Sequence, residues 1–253
     1  MTLMSHGRGL RDKALVGLLL LAAWWVTSLF FQYWVFPSPA RVLTALNTAI
    51  SDPAFGSFAS NVAVTFGRLL VGFVLSVAIG GVLGTLMGLR TNVEAFFRAW
   101  VVFGLSLPAI FVAFSLVILL GITNWVPILT VTLVGIPFVA LNMWEGAQDL
   151  DSNIGEMADF FGASRRQQIR HVLVPQLLQY LFPSMYWGFI TSWKVLFIAE
   201  VFGAGSGVGY MVNYWFNQQR VDMLLGWVVV PILIVILSQE ALRLAEDHVI
   251  SWR

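Results

Sequence analysis

Glu156-Met-Ala-Asp-Phe-Phe-Gly162-Ala-Ser-Arg-Arg-Gln-Gln-Ile-Arg-His-Val172-Leu-Val-Pro175 is a polar, basic stretch set between two long apolar runs. Its order is an acid, small residues, a glycine, a basic run, apolar residues and a proline. Glu156 to Phe161 reads as a short helix. Gly162 breaks it, because glycine adopts the positive φ of a helix C-cap without steric cost. Ser164 is placed to cap a second helix through Arg165, Arg166 and Arg170 to Leu173. Pro175 is expected to end that helix and redirect the chain into the next apolar run. The small residues Ala158 and Ala163 leave room for a partner's groove. An ordinary basic loop would account for the arginines, but not for the glycine and proline at these positions.

Outward from this stretch the chain is apolar. Its 253 residues are 58% hydrophobic and 11% charged, against roughly 25% charged in a soluble domain. So few charges are tolerated only where lipid replaces water over much of the surface. Runs of about 20 residues, enough to cross a bilayer, lie at 14–34, 62–88, 97–120, 124–144, 177–201 and 223–244. The expected fold is therefore an all-α membrane protein of about six transmembrane helices, a single domain over 1–253, with 146–176 as its loop. Gly121 to Asn124 makes a tight turn between the third and fourth runs. Segment 38–51, opening Ser38-Pro39, reads as an amphipathic helix at the interface.

Charge sets the orientation. With the N-terminus inside, Arg8, Arg11, Lys13, Arg90, Arg98, Arg165, Arg166, Arg170, Arg243 and Arg253 are cytoplasmic, and only Arg41 and Arg220 are outside. Ten against two places both termini and the 146–176 loop in the cytoplasm. The first run is too long for a signal-peptide core and reads as a retained span. Tryptophans such as Trp25, Trp34 and Trp125 sit near predicted span ends, as interfacial anchors do. Gly72, Gly80, Gly84 and Gly88 in the second run are expected to let helices approach closely.

Several function classes are excluded by what is missing. The two lysines, Lys13 and Lys194, do not follow a glycine, so no phosphate-cradling Gly-x-x-x-x-Gly-Lys loop exists. The chain does not hydrolyse ATP by that route. His6, His171 and His248 are dispersed and there is no cysteine, so no metal site and no catalytic residue is assigned. A net charge of +1 offers no basic field to nucleic acid. The ladder of buried acids that a proton-coupled carrier needs is also missing, with only Glu200, and Glu240 further on, near membrane depth.

The loop resembles the EAA signature of permease subunits of bacterial ABC importers. Glu156, Ala158, Gly162 and Pro175 match, Met157 replaces the middle alanine, and Val172 and Val174 stand for isoleucine and leucine. Gly162-Ala-Ser-Arg165 is the form common in the nitrate/sulfonate/taurine-like family. The resemblance continues through Pro37-Ser-Pro39, Thr65-Phe-Gly-Arg68, Pro108, Pro137, Asn142, Trp193 to Glu200, Gly207-Val-Gly209 and Trp252. It implies a type I ABC importer permease fold in the bacterial inner (plasma) membrane. It further implies a cytoplasmic ATP-binding-cassette ATPase dimer as partner, which uses the ATP and magnesium; this chain itself binds no cofactor. A second permease copy, as a homodimer or alternatively a heterodimer with a different permease, and an extracytoplasmic solute-binding protein complete the machine. The resemblance assigns ATPase coupling to Glu156, Ala158, Gly162, Ala163, Ser164, Arg165 and Pro175. The solute it implies is a small anion, such as a sulfonate, taurine, nitrate or a carboxylate, with pyrimidine-type compounds as the alternative.

Within the membrane, Lys194, Glu200, Trp193, Asn142 and Pro108 are candidates for the substrate pathway, and Gly207 and Gly209 for an outer gate. A lysine at the centre of a span costs roughly 2.5–3.5 kcal/mol, so Lys194 is expected to face protein or water. Lys194 and Glu200 are six residues apart and point to different faces of one helix, so they should not pair. Arg68 is expected to snorkel to the interface. The competing reading is a stand-alone secondary carrier or channel.

Overall fold

Among the described residues every regular element is a helix. The computed structural model describes residues 3–51 and 57–249, with side chains at Asp12 and from Leu15 to Ile236, Ser152 excepted. Trp252 and Arg253, and the side chains of Arg8, Arg11, Lys13, Glu240 and Arg243, lie outside the described residues.

The helices are α1 (Leu3–Ser28), α2 (Pro39–Ser51), α3 (Phe58–Leu89), α4 (Thr91–Ser106), α5 (Ala109–Leu120), α6 (Trp125–Gln148), α7 (Ser152–Phe160), α8 (Arg165–Gln168), α9 (Val174–Gly203), α10 (Val208–Asn217) and α11 (Val221–Val249). By length and composition α3 and α6 can each cross a membrane alone. Two bent pairs pass the same test together: α4 with α5, and the run from Arg165 to Gly203 with α10. Leu15–Ser28 in α1 and Val221–Ile236 in α11 are shorter apolar stretches. These six segments follow the order of the six predicted runs.

The third run departs from expectation. It is not one continuous helix but α4 and α5, which meet at 97°. Leu107 precedes Pro108 and has ψ 122°, outside the helical region. The proline ring disfavours helical backbone at the residue before it, and the chain turns there. Gly121, with φ 70°, then closes the short turn into α6.

A close-packed centre is built by α3, α6 and α9. Glycines make it possible. A Cβ on Gly80 would sit 2.7 Å from the Ile136 carbonyl oxygen, and one on Gly72 2.9 Å from that of Ile128. Gly84 and Gly88 likewise lie directly against Ala140 and Ala147. Small residues at this spacing bring two backbones into van der Waals contact, which lipid alone does not drive. Leu69, Phe73, Val131, Phe189, Trp193 and Leu196 fill the space that remains.

At the end away from the 149–173 loop, α11 packs on both α2 and α10 around Trp215, Met223 and Trp227. Helix α2 therefore does not merely lie at an interface, since Ala45 and Ala49 are buried in this second core and Val42 is buried as well. Helix α1 rests chiefly on α2 and leaves Leu15, Leu18, Leu19 and Leu20 exposed. Apolar surface of this extent is at home in lipid, not in water.

Candidate functional site

Two polar regions stand out from the apolar body, one at each end. At the loop end, Asp151 caps α7, its carboxylate accepting the Asn153 N–H at 2.9 Å. Helix α7 stops where the sequence places the stop. Gly162 has φ 71°. Its N–H donates to the Asp159 carbonyl at 2.9 Å, and the Ala163 N–H donates to the Ala158 carbonyl at 2.9 Å. This pair of bonds satisfies the last carbonyls of the helix and requires a left-handed residue between them. Ser164 then opens α8 with a capping box. The Gln167 side-chain oxygen accepts from the Ser164 N–H at 2.8 Å and from its hydroxyl at 2.7 Å.

Pro175 behaves differently from expectation. It does not end the second helix; the chain runs helically from Arg165 to Gly203. Residues Ile169–Leu173 form a wider π turn, closed by Val174 N–H to the Ile169 carbonyl. A proline ring crowds the carbonyl four residues earlier and offers no N–H to it. The wider turn relieves both problems, so α8 passes into α9 without a break.

Side chains tie the two short helices to each other and to the bundle. The Gln168 amide donates to Asp159 at 2.5 Å and to the Ala163 carbonyl at 3.1 Å. The Asp151 N–H donates to the Gln176 side chain at 3.0 Å, linking α7 to α9. On this braced backbone Glu156, Gly162, Ser164, Arg165 and Pro175 are exposed, and Ala158 and Ala163 half-buried. Phe160 and Phe161 point outward, 87% and 77% exposed, their rings edge to face with centroids 5.6 Å apart. The sequence reading passed over these two phenylalanines, although adjacent aromatics in a polar loop were the signal. Ala158, Gly162, Ala163, Gln168, His171 and Val172 line a shallow cleft beside them.

The opposite end holds a sealed cluster. Glu200 is 0% exposed and Arg68 4%, and their ion pair is 2.7 Å long. The Thr65 hydroxyl lies 2.8 and 3.0 Å from the two carboxylate oxygens, and the Gly209 N–H donates to one of them at 3.0 Å. Arg68 also donates to the Ser206 carbonyl at 2.7 Å, the Ser206 hydroxyl at 2.9 Å and the Asn124 side chain. Gly207 and Val208 give their N–H groups to Asn61 and Thr65. Four of the five guanidinium donors are thus used, and α3, α9, α10 and the turn before α6 are joined at one point.

This cluster corrects two expectations. Arg68 does not snorkel; it is buried and bonded. Glu200 does not line a pathway, being closed off on every side. Gly207 and Gly209 form the close-fitting backbone around Glu200 at the bend between α9 and α10. A Cβ on Gly209 would come 2.6 Å from the Glu200 Cβ. Gly207, with φ 107°, lies directly against the carboxylate. Trp193 also leaves the pathway set, since it is buried in the central core. Asn142 is half-buried and donates to the Phe138 carbonyl of its own helix at 2.7 Å. Pro108 is exposed at the α4–α5 break. Lys194 is exposed on α9 and, among the described residues, is in no ion pair. It does not meet Glu200, as their spacing predicts. Among the described residues no group of three potential metal ligands occurs.

Fold and sites together define a multi-pass helical membrane protein with a braced polar loop at one end and a locked turn at the other. Residues 76–239, more than half of the chain, match the family of binding-protein-dependent transport system inner membrane components, and the chain belongs to it. It is a permease subunit of an ABC importer. It is 24% identical over 220 residues to the putative aliphatic sulfonates transport permease protein SsuC of Bacillus subtilis, covering 87% of this chain and 78% of that protein. It is 25% identical over 237 residues to the taurine transport system permease protein TauC of Escherichia coli, covering 92% and 86%. Identity to the formylaminopyrimidine transport permease protein ThiX of Halalkalibacterium halodurans is 23%, over 96% of both chains. A chain of the MetNI methionine ABC transporter, solved in an inward-facing conformation, superposes with a TM-score of 0.66 at 18% identity. The superposition covers 79% of this chain and 97% of that one. The fold is that of type I ABC importer permeases.

Proposed function

We propose that this chain carries a small anionic solute inward across the bacterial inner membrane. Cytoplasmic ATPase subunits, which use ATP and magnesium, would drive it through the loop from Asp151 to Pro175. One observation carries this reading. The loop satisfies its own backbone through a glycine C-cap and a capping box, is tied to itself and to α9, and still presents Phe160 and Phe161 outward. A surface that is polar-braced and tipped with exposed aromatics has the makeup of a docking anchor. Rigid coupling also suits the task, since force applied to α7 and α8 reaches α9 through a continuous helix.

The loop faces the cytoplasm in this reading, which the lysine and arginine count supports. A second copy of the chain completes the pathway, and an extracytoplasmic binding protein delivers the solute to the far end. The relatives named for aliphatic sulfonates and taurine favour an anion. The relative named for formylaminopyrimidine keeps a pyrimidine as second reading. Affinity purification of the tagged chain from its native membrane tests the class. The expected result is an ATP-binding-cassette ATPase in equal stoichiometry. Purification without any ATPase, together with solute uptake by liposomes holding this chain alone, would overturn the proposal in favour of a secondary carrier.

A further inference from the structure

Helix α9 packs against α3, α5, α6, α10 and α11, and one line of it stays open. Gln179, Pro183, Trp187, Thr191 and Lys194 are exposed, and between Gln176 and Val201 no other residue of α9 is exposed to that degree. Their steps of four, four, four and three residues keep them on one face of a helix with 3.6 residues per turn. The composition of this line sets it apart. The exposed residues of α3 from Phe66 to Leu86 are all Phe, Gly, Leu, Val, Ala or Ile, which is what lipid requires. The α9 line instead carries an amide, an indole, a hydroxyl and an ammonium. Pro183 adds a polar backbone group, because it has no N–H to give the Gln179 carbonyl.

Lys194 decides what this face meets. It lies nine residues before Gly203, about 13 Å along the helix from the far end. An ammonium left in hydrocarbon at such depth is unfavourable, so it faces water or a carboxylate. This chain holds no free carboxylate at that depth among the described side chains. Glu200 is consumed by Arg68, Thr65 and Gly209, and Asp222 by Arg220 at 2.9 Å. Ile234 and Val235 of α11 pack against the cluster that holds Trp193, Val195 and Leu196, and Glu240, outside the described side chains, lies five residues further along α11, about 8 Å from that level. A second copy of the chain brings the same described carboxylates.

We infer that the Gln179–Lys194 face of α9 is a water-lined wall of the solute pathway, and that the Lys194 ammonium is the binding group for an anionic solute. The inference rests on the importer reading and adds to it the site and the charge of what passes. The anionic headgroup of the solute, a sulfonate or carboxylate, is the counterion that the described side chains do not supply. Thr191 donates its hydroxyl to the Trp187 carbonyl at 3.0 Å, which leaves Lys194 the one charged donor on this face. Trp187, 60% exposed, offers an apolar surface about two turns away for the rest of the solute.

The chain has no cysteine, so single cysteines can be placed on an unmodified background. Thr191→Cys and, separately, Trp187→Cys are made in the full chain, assembled with its ATPase in lipid nanodiscs. Leu19→Cys, Val74→Cys and Leu119→Cys, on exposed apolar faces, are the controls. Each is treated with anionic sulfonatoethyl methanethiosulfonate and with its cationic trimethylammonium counterpart. The expected result is labelling of Thr191→Cys and Trp187→Cys at least about tenfold faster than the controls. At Thr191→Cys, adding Lys194→Met should lower the ratio of anionic to cationic labelling rate by about tenfold, because a nearby unscreened charge acts oppositely on the two reagents. Labelling no faster than the controls overturns the wall, since lipid or a neighbouring helix then covers the face. An unchanged ratio overturns the anion site, as it would if a carboxylate of a different permease partner already neutralised Lys194. Should Thr191→Cys fail to assemble, the ratio is read at Trp187→Cys. Absence of ATPase from the wild-type complex contradicts the importer reading and leaves the labelling results to stand by themselves.

Discussion

The two ends of the molecule use polar residues in opposite ways. Around Glu200 and Arg68 the polar side chains turn inward, satisfy one another and are closed off from solvent. In the loop from Asp151 to Pro175 local caps and a few side-chain ties hold the backbone, and Glu156, Phe160, Phe161 and Arg165 stay exposed. A closed cluster of this kind fixes geometry and has no capacity left for a partner. An open, braced surface has little to add to folding and everything to offer a partner. Lys194 belongs with the second group although it sits in a span. On the proposed reading, the contrast separates residues that build the permease from residues that make it work, and burial with bonding is the criterion.

If that division holds, damage to the closed end appears first as lost stability. Glu200→Ala leaves the Arg68 guanidinium buried and unpaired, a change that costs about 3–5 kcal/mol. Thermal unfolding of the purified chain in detergent should show it. The double variant Arg68→Met with Glu200→Met should cost less than Glu200→Ala alone, because no charge is stranded. A double variant less stable than the single one would mean that the pair itself, not its completeness, holds the end together.

Gly209→Ala sharpens the same point on a smaller scale. Its Cβ would meet the Glu200 Cβ at 2.6 Å and the Phe197 carbonyl oxygen at 2.8 Å. Overpacking of this kind costs about 1–3 kcal/mol. A neutral result in the same unfolding assay would show that α10 can move away from α9 freely, and that the turn is not locked.

The open end should respond the other way. Phe160→Ser removes a side chain with almost no contacts to its own fold, so stability should stay within about 0.5 kcal/mol. Association with the ATPase should weaken by about tenfold or more, as for an anchor residue. Titration of the purified ATPase into nanodisc-held chain measures it. Unchanged affinity would remove Phe160 from the docking surface.

How far the sequence revealed this division depended on the range of the interactions. The loop was legible because caps are local: Gly162, Ser164 and Gln167 act within a few residues of one another. Pro175 misled only because a π turn can absorb a proline that an α-helix cannot. The close approach of α3 to α6 was legible from the glycine spacing. The Arg68–Glu200 pair was not, since 132 residues separate its members and nothing local announces that they meet. The same reason explains why the sequence does not distinguish the buried Trp193 from the exposed Trp187. Which face of α9 stays open is decided by the helices packed around it, and a run of apolar residues on all sides does not disclose that. The 97° break at Pro108 lay between: the proline marked the place, but the angle belongs to the packing.

Coupling through the loop is the central claim, and ATP hydrolysis by the assembled complex in lipid nanodiscs tests it most directly. Gly162→Pro cannot adopt the φ of 71° on which the α7–α8 turn depends, and Glu156→Lys reverses an exposed charge beside it. Both chains should insert and keep a wild-type unfolding temperature at the closed end. Their complexes should lose the stimulation of ATP hydrolysis that solute-loaded binding protein gives the wild type. Full stimulation in both variants, with a normal complement of ATPase, would contradict the account.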